Sequence, residues 1–254
     1  MLNAITRSIS PNMGDCELTH LEREPIDIQK AIQQHSEYEK VLEKLGCKMI
    51  TASAAPELAD SVFVEDCAIV LDELAVLTHP GAESRREEVK GIAEVLAPHR
   101  KLFYIESPGI IDGGDVLVIG KNIWVGLSYR SNSIAIEQLQ DITAPFGYTV
   151  HGVEVTDCLH LKSAVTQVAE NTVLLNPNWI NVDIFNDFKI IETHQDEPNA
   201  SNALLINEVV LFPKAYPLTT QILKNKGIQI ITLDNSEVTK AEGALTCCSI
   251  IFKA

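Results

Sequence analysis

Residues 242–254 read EGALTCCSIIFKA, with two adjacent cysteines, Cys247 and Cys248. A thiol is a weak nucleophile until it ionises, and a nearby imidazole or bound cation favours that ionisation. Upstream, CLHLKS supplies His160 and IDGGDV supplies Asp112. An imidazole moves protons near neutral pH, and a carboxylate behind it fixes its orientation. SVFVED adds Glu65 and Asp66, and EPNASN adds Asn199 and Asn202. Converging on one point, these residues form the inventory of a thiol-based nucleophilic site. Each also has a plainer use. His160 can be an ordinary satisfied polar residue, and the cysteine pair can be packing. Asp66 and Asp115 can bond local backbone. Gly113 and Gly114 can make a tight turn with close backbone approach. A metal set of Cys247, His160 and Asp112 has suitable donors, but no CxxC or HxxxH spacing supports a dedicated zinc site. No GxGxxG leads from a strand into a helix, so a dinucleotide fingerprint is absent.

Residues so far apart need elements that repeat in space. The periodicity predicts one pattern again and again. Strands 67–72 and 74–78 precede a helix and strand 102–105. That helix opens on Ser84-Arg-Arg-Glu87, read as a capping box, and its apolar stripe is Val89, Ile92, Ala93, Val95 and Leu96. A second copy runs 116–119, 123–127, helix 133–146 and strand 148–155. A third runs 164–168, 173–175, short helix 182–188 and strand 189–192. A fourth runs 203–206, 209–211, helix 219–226 and strand 229–233. The fifth is split: 245–252 pairs with 3–8, followed by helix 27–45 and strand 48–51. The hairpins start roughly forty to fifty residues apart, a spacing of repeat architectures. A closed ring and an ordinary open α/β sheet both satisfy this pattern. No linker interrupts it, so one domain spanning 1–254 is expected.

The 254 residues carry a net charge of −15 and are 46% hydrophobic. That supports a sizeable core and argues against disorder. An acidic surface repels phosphate backbones, so nucleic acid is not an expected partner; a small cation is compatible. No stretch resembles a signal peptide or a bilayer span, which points to a cytoplasmic protein without membrane attachment. The six cysteines, at 16, 47, 67, 158, 247 and 248, are then expected as thiols. On an extended chain, neighbouring cysteines face opposite ways.

SVFVEDCAIV, THPGAESRREEV, IDGGDV, GLSYRSN, LHLKS and LTCCSIIF, in this order, resemble the dimethylarginine dimethylaminohydrolases from about residue 4 to 252. The resemblance implies the pentein fold, a five-bladed ββαβ propeller of the α/β class with pseudo-fivefold symmetry. It implies hydrolysis of N-omega-methylated arginines to citrulline and methylamine or dimethylamine, without metal or organic cofactor, in arginine metabolism linked to nitric oxide regulation. It makes Cys247, two residues before Ser249, the nucleophile, His160 the acid and base, and Asp112 its orienting carboxylate. It places Arg85 and Arg130 at the substrate α-carboxylate, and Asp60, Glu65 and Asp66 at its cationic groups. Leu18, in a lid over residues 10–25, and Ala241 contribute backbone. Relatives of this kind are often homodimers. Rival expectations are an arginine deiminase, an amidinotransferase, or an arginine-binding protein without turnover.

Overall fold

The computed structural model describes residues 1–254. In chain order the elements are β1 (Leu2–Thr6), α1 (Ile28–Lys44), β2 (Cys47–Thr51), β3 (Ala68–Val70), β4 (Leu74–Leu77), α2 (Glu88–Leu96) and β5 (Lys101–Tyr104). Then come β6 (Val116–Ile119), β7 (Asn122–Leu127), α3 (Ser133–Thr143), β8 (Thr149–Glu154), α4 (Leu161–Ala164), β9 (Val165–Ala169), β10 (Thr172–Leu175) and β11 (Lys189–Glu192). The chain finishes with β12 (Leu204–Ile206), β13 (Val209–Pro213), α5 (Pro217–Asn225), β14 (Gln229–Leu233), α6 (Ser236–Thr239) and β15 (Ile250–Lys253).

These strands form five three-stranded sheets with one recurring topology. In each, a central strand pairs antiparallel with its hairpin partner and parallel with the strand beyond the crossover. The fifth sheet, β15-β1-β2, joins the two ends of the sequence, with Ile5 opposite both Ile250 and Ile50.

The core explains why the sheets form a ring. A central strand is covered on both faces, so it reads as a continuous apolar run. Alternation sends successive residues to opposite sides. In β4, Leu74 and Val76 pack towards β6–β7, while Ala75 and Leu77 pack towards β15 and β1. In β7, Ile123 and Val125 meet the β4 sheet, and Trp124 meets β9 and β10. Leu174 of β10 and Phe212 of β13 share a further cluster. Leu211 faces back to Ala4, Tyr38 and Leu42. Each apolar cluster thus fills one seam between neighbouring sheets, and the last seam closes the circle.

Three expectations are corrected. Ser84 is not a helix cap: its hydroxyl donates to Glu17 Oε1 at 2.6 Å, and α2 starts only at Glu88 with no side-chain cap. The third unit has a single 3-10 turn, Val182–Phe185, where a longer helix was expected. Residues 246–248 form a 3-10 turn rather than the start of a strand. The two adjacent thiols therefore leave the chain about 120° apart, as neighbours on a 3-10 turn do, and not on opposite faces of a strand.

Candidate active site

That 3-10 turn is one of a set. A single helical turn precedes the first hairpin strand in several units: Val64–Cys67 before β3, Gly113–Asp115 before β6, α4 before β9 and Thr246–Cys248 before β15. The turns pack against one another around the axis of the ring. Asp112 and His160 occupy the N-cap positions of two of them, with extended backbone. An N-cap aspartate ordinarily accepts a backbone N–H from its own turn. Neither residue makes such a cap, and their side chains meet each other instead. His160 Nε2 lies 3.2 Å from Asp112 Oδ2. The other carboxylate oxygen of Asp112 accepts the Gly81 N–H at 2.9 Å, and Arg130 Nη1 stands 3.6 Å from Oδ2.

Asp66, on the neighbouring turn, accepts from Arg85 Nη1 at 2.7 Å and from the Gly114 N–H at 2.8 Å. Gly114 is required by its surroundings. A Cβ there would fall 2.5 Å from His160 Nδ1 and 2.9 Å from Asp66 Oδ1. Gly114→Ala should therefore displace the imidazole and cut kcat about a hundredfold, with the overall circular dichroism spectrum retained.

Cys247, His160, Asp60, Asp66, Arg85, Arg130 and Ala241 line one buried cavity of about 20 Å³. Asp112 sits behind His160, fully buried. Two expected substrate contacts lie elsewhere. Glu65 is held by Lys162 and by the Thr246 hydroxyl, and it faces a hollow on the other side of these turns, lined by β3 and β6 residues. The Lys162 ammonium holds the carboxylate on that side, away from the cavity that Cys247 and His160 line. Leu18 does not line the cavity; its side chain packs on the apolar seam between the fourth and fifth units. Its neighbour Glu17 lines the cavity instead, with its N–H on Asp60 Oδ2 at 3.0 Å.

Arg85 is 4% exposed. Its guanidinium binds Asp66 and, at 2.9 Å, Glu88, and it points Nη2 at the Phe63 carbonyl. Arg130 donates to the Thr19 hydroxyl at 3.1 Å and is otherwise lightly engaged.

Of residues 10–25, Glu17 lines the cavity and the Thr19 hydroxyl accepts from Arg130. The regular structure of the segment is one 3-10 turn, Met13–Asp15. Arg23 ties the segment internally through the carbonyls of Gly14 and Cys16. Glu242 accepts N–H groups from Thr19, His20 and Leu21.

The electrostatics separate the thiol from the imidazole. Burial pushes the Cys247 thiol well above its ordinary value, and Glu65 and Asp66 push it further. Burial alone would lower His160, but Asp66, the Asp112 hydrogen bond and Asp115 outweigh it and raise it to about 9. Burial and the surrounding carboxylates thus favour a protonated thiol and a protonated imidazole in the same cavity. Asp66 is opposed by burial, but Arg85 and His160 bring it down to about 2. A histidine raised in the fold stabilises fully below its unfolded value of about 6.5 and loses that contribution as pH rises through 9. Relative to His160→Gln, the wild type should lose unfolding free energy from pH 6.5 to 9, by at most about 1.4 kcal/mol per pH unit. Urea titrations at several pH values measure the difference.

Asp66, Asp112 and His160 place donor atoms within 4.8 Å of one another. Those atoms already serve Arg85, Gly114 and Gly81, so a metal would have to displace the Arg85 cation. Asp115 went unnoticed as a site residue in the sequence. Fully buried, it accepts from Ser128 and Ser131 hydroxyls and from the Leu161 N–H at 2.9 Å. It anchors the backbone next to His160 and adds to its charge. Its only trace was a second carboxylate in IDGGDV.

No helix is long and apolar enough to cross a membrane. The family described as "N,N dimethylarginine dimethylhydrolase, eukaryotic" matches residues 16–248. The chain is 36% identical to the N(G),N(G)-dimethylarginine dimethylaminohydrolase of Streptomyces coelicolor, over 97% of this chain and 95% of that one. It is 32% identical to the enzyme of that name from Pseudomonas aeruginosa, over 89% and 90%. A solved structure of a cysteine-to-serine variant of the Pseudomonas protein with citrulline superposes with a TM-score of 0.93, covering 98% of both chains at 31% identity. The N-terminal domain of the cyanobacterial arginine dihydrolase ArgZ shares the fold, with a TM-score of 0.86 at 17% identity over 99% of this chain and 98% of that domain. With its five ββαβ units and these matches along nearly all of its length, the chain belongs to the dimethylarginine dimethylaminohydrolase family, within the pentein fold.

Proposed function

We propose that this ring acts as one catalytic domain, hydrolysing N-omega-methylated arginine to citrulline and methylamine or dimethylamine. The observation that carries the reading is that Cys247 and His160 share one buried cavity with Asp66 and two arginines. A guanidinium is a poor electrophile because its charge is delocalised. Asp66 is the anion placed to receive it. Arg85 and Arg130 receive the α-carboxylate, Arg130 with donors to spare and Arg85 shared with Asp66; a guanidinium fork suits a carboxylate. Asp60 and the backbone around Ala241 and Glu17 complete the amino-acid end. Glu65 acts through its charge on Cys247 rather than by touching substrate.

The bound cation offsets the anions that hold the thiol protonated. The thiol releases its proton to solvent, and the thiolate adds to the guanidinium carbon. The imidazolium of His160 gives its proton to the departing amine, the C–N bond breaks, and an S-alkylthiouronium remains. His160, now neutral, takes a proton from water. Hydroxide adds, the C–S bond breaks as the new hydroxyl gives its proton to the departing thiolate, and citrulline leaves with its carbonyl formed and the thiol restored. Asp112 keeps the imidazole aimed throughout. All of this needs only the chain's own side chains.

Incubation with asymmetric dimethylarginine, with arginine in parallel, tests the reading. Citrulline and dimethylamine in equal amounts are expected. Ammonia from arginine as the preferred reaction would make the protein a deiminase, and no citrulline from either would refute guanidine hydrolysis. A thiol-dependent enzyme of this kind fits the cytoplasm.

A further inference from the structure

The triad cavity is too small for an amino-acid substrate, since about 20 Å³ holds little more than one water. Substrate therefore enters only when the wall moves, and Glu17 of residues 10–25 is part of that wall. What holds them down is concentrated at one side chain. The Glu242 carboxylate accepts the Thr19 N–H at 2.9 Å and the His20 and Leu21 N–H groups at 2.5 and 2.6 Å. An anion on three consecutive backbone donors makes stronger bonds than neutral partners would.

The backbone of Glu242 is itself unusual. Its φ is +57°, in the left-handed region that a glutamate adopts only at a cost. Gly243 follows, where a Cβ would fall 2.2 Å from the Phe63 ring. Ala241 precedes it and lines the cavity. The left-handed turn aims the carboxylate out of the cavity wall and across to the lid. His20 and Leu21 also border an adjoining chamber of about 230 Å³, which shares Leu159, Glu242 and Gly243 with the triad cavity. Letting go of these lid residues would join the cavity to the chamber.

We propose that Glu242 is a positioning residue that latches the lid: its carboxylate, held on the Thr19, His20 and Leu21 amides, closes the cavity around Cys247 and sets the lid backbone beside the substrate. It touches no reacting atom and acts through the lid.

Glu242→Gly removes the carboxylate and relieves the left-handed strain, so the fold should survive it. In that variant, amide exchange at Thr19, His20 and Leu21 should rise roughly tenfold or more. Alkylation of Cys247 by iodoacetamide, read by mass spectrometry at that peptide, should accelerate by a similar factor. Turnover of dimethylarginine should fall, because the closed lid sets its backbone beside the substrate and holds the substrate in place. Access to the thiol and turnover thus move in opposite directions while Tm holds. Glu242→Gln, which keeps one acceptor oxygen, should lie between. Unchanged exchange and unchanged alkylation would overturn the latch. So would a fall in Tm with matching loss of protection in β7, which would make Glu242 a general structural support. Exchange and alkylation do not depend on the substrate, so they decide the latch even if the guanidine hydrolysed is not dimethylarginine.

Discussion

Cys247→Ser should lower citrulline formation by roughly 10⁴-fold or more, while the protein still folds and still binds citrulline in a calorimetric titration. A hydroxyl ionises far less readily than a thiol. The cavity makes this worse, because burial, Glu65 and Asp66 already oppose an anion at this position. The substrate cation can tip a thiol but not an alcohol. Cys248→Ser is the matched control. That thiol points at the Ala244 carbonyl at 3.5 Å, packs in the seam between the fourth and fifth units, and is raised to about 12 mainly by burial. Its replacement should leave kcat within a few-fold. Equal losses in the two variants would refute the assignment of the nucleophile.

Arg85→Met should cost about 3–5 kcal/mol of unfolding free energy. The side chain sits between Asp66 and Glu88, each 2% exposed, and supplies the cation for both. Methionine fills much of the volume but leaves two buried carboxylates facing each other's field. Burial already raises the Glu88 carboxyl, so it would take up a proton, and Asp66 would rise from about 2. Adding Glu88→Gln should recover part of the loss, because one uncompensated charge disappears. Urea unfolding of the wild type, both single variants and the double variant measures the coupling. A cost below about 1 kcal/mol for Arg85→Met would show that the pair is solvated as a surface bridge is. The same substitution should raise KM, since Arg85 also faces the cavity.

The strands were legible because each central strand is an apolar run bounded by polar turns. Strands 116–119, 189–192 and 229–233 have the limits that their patterns suggested. What periodicity could not decide was closure. A ring and an open sheet bury the same residues, and only the seam between Ile5, Ile250 and the β4 face separates them. Ser84 failed as a cap because its hydroxyl found Glu17, 67 residues away, a partner that local sequence cannot show. Glu65 illustrates the same limit. Glu65 and Asp66 are adjacent in sequence, yet Lys162 draws one out of the cavity and Arg85 holds the other in it. Local sequence shows neither the role of Glu242 nor the true partners of Asp115, because those partners lie up to 223 and 46 residues off.

The helical turns that carry Asp66, Asp112, His160 and Cys247 belong to four different sheets, and each turn is braced by its neighbours around the axis. The catalytic centre therefore has no local precursor. Its residues span 66–247, so no shorter stretch of chain contains it, and a ring lacking any one of those four turns lacks part of the site. Chemistry here is conditional on completed folding, which makes turnover a report on the integrity of every seam.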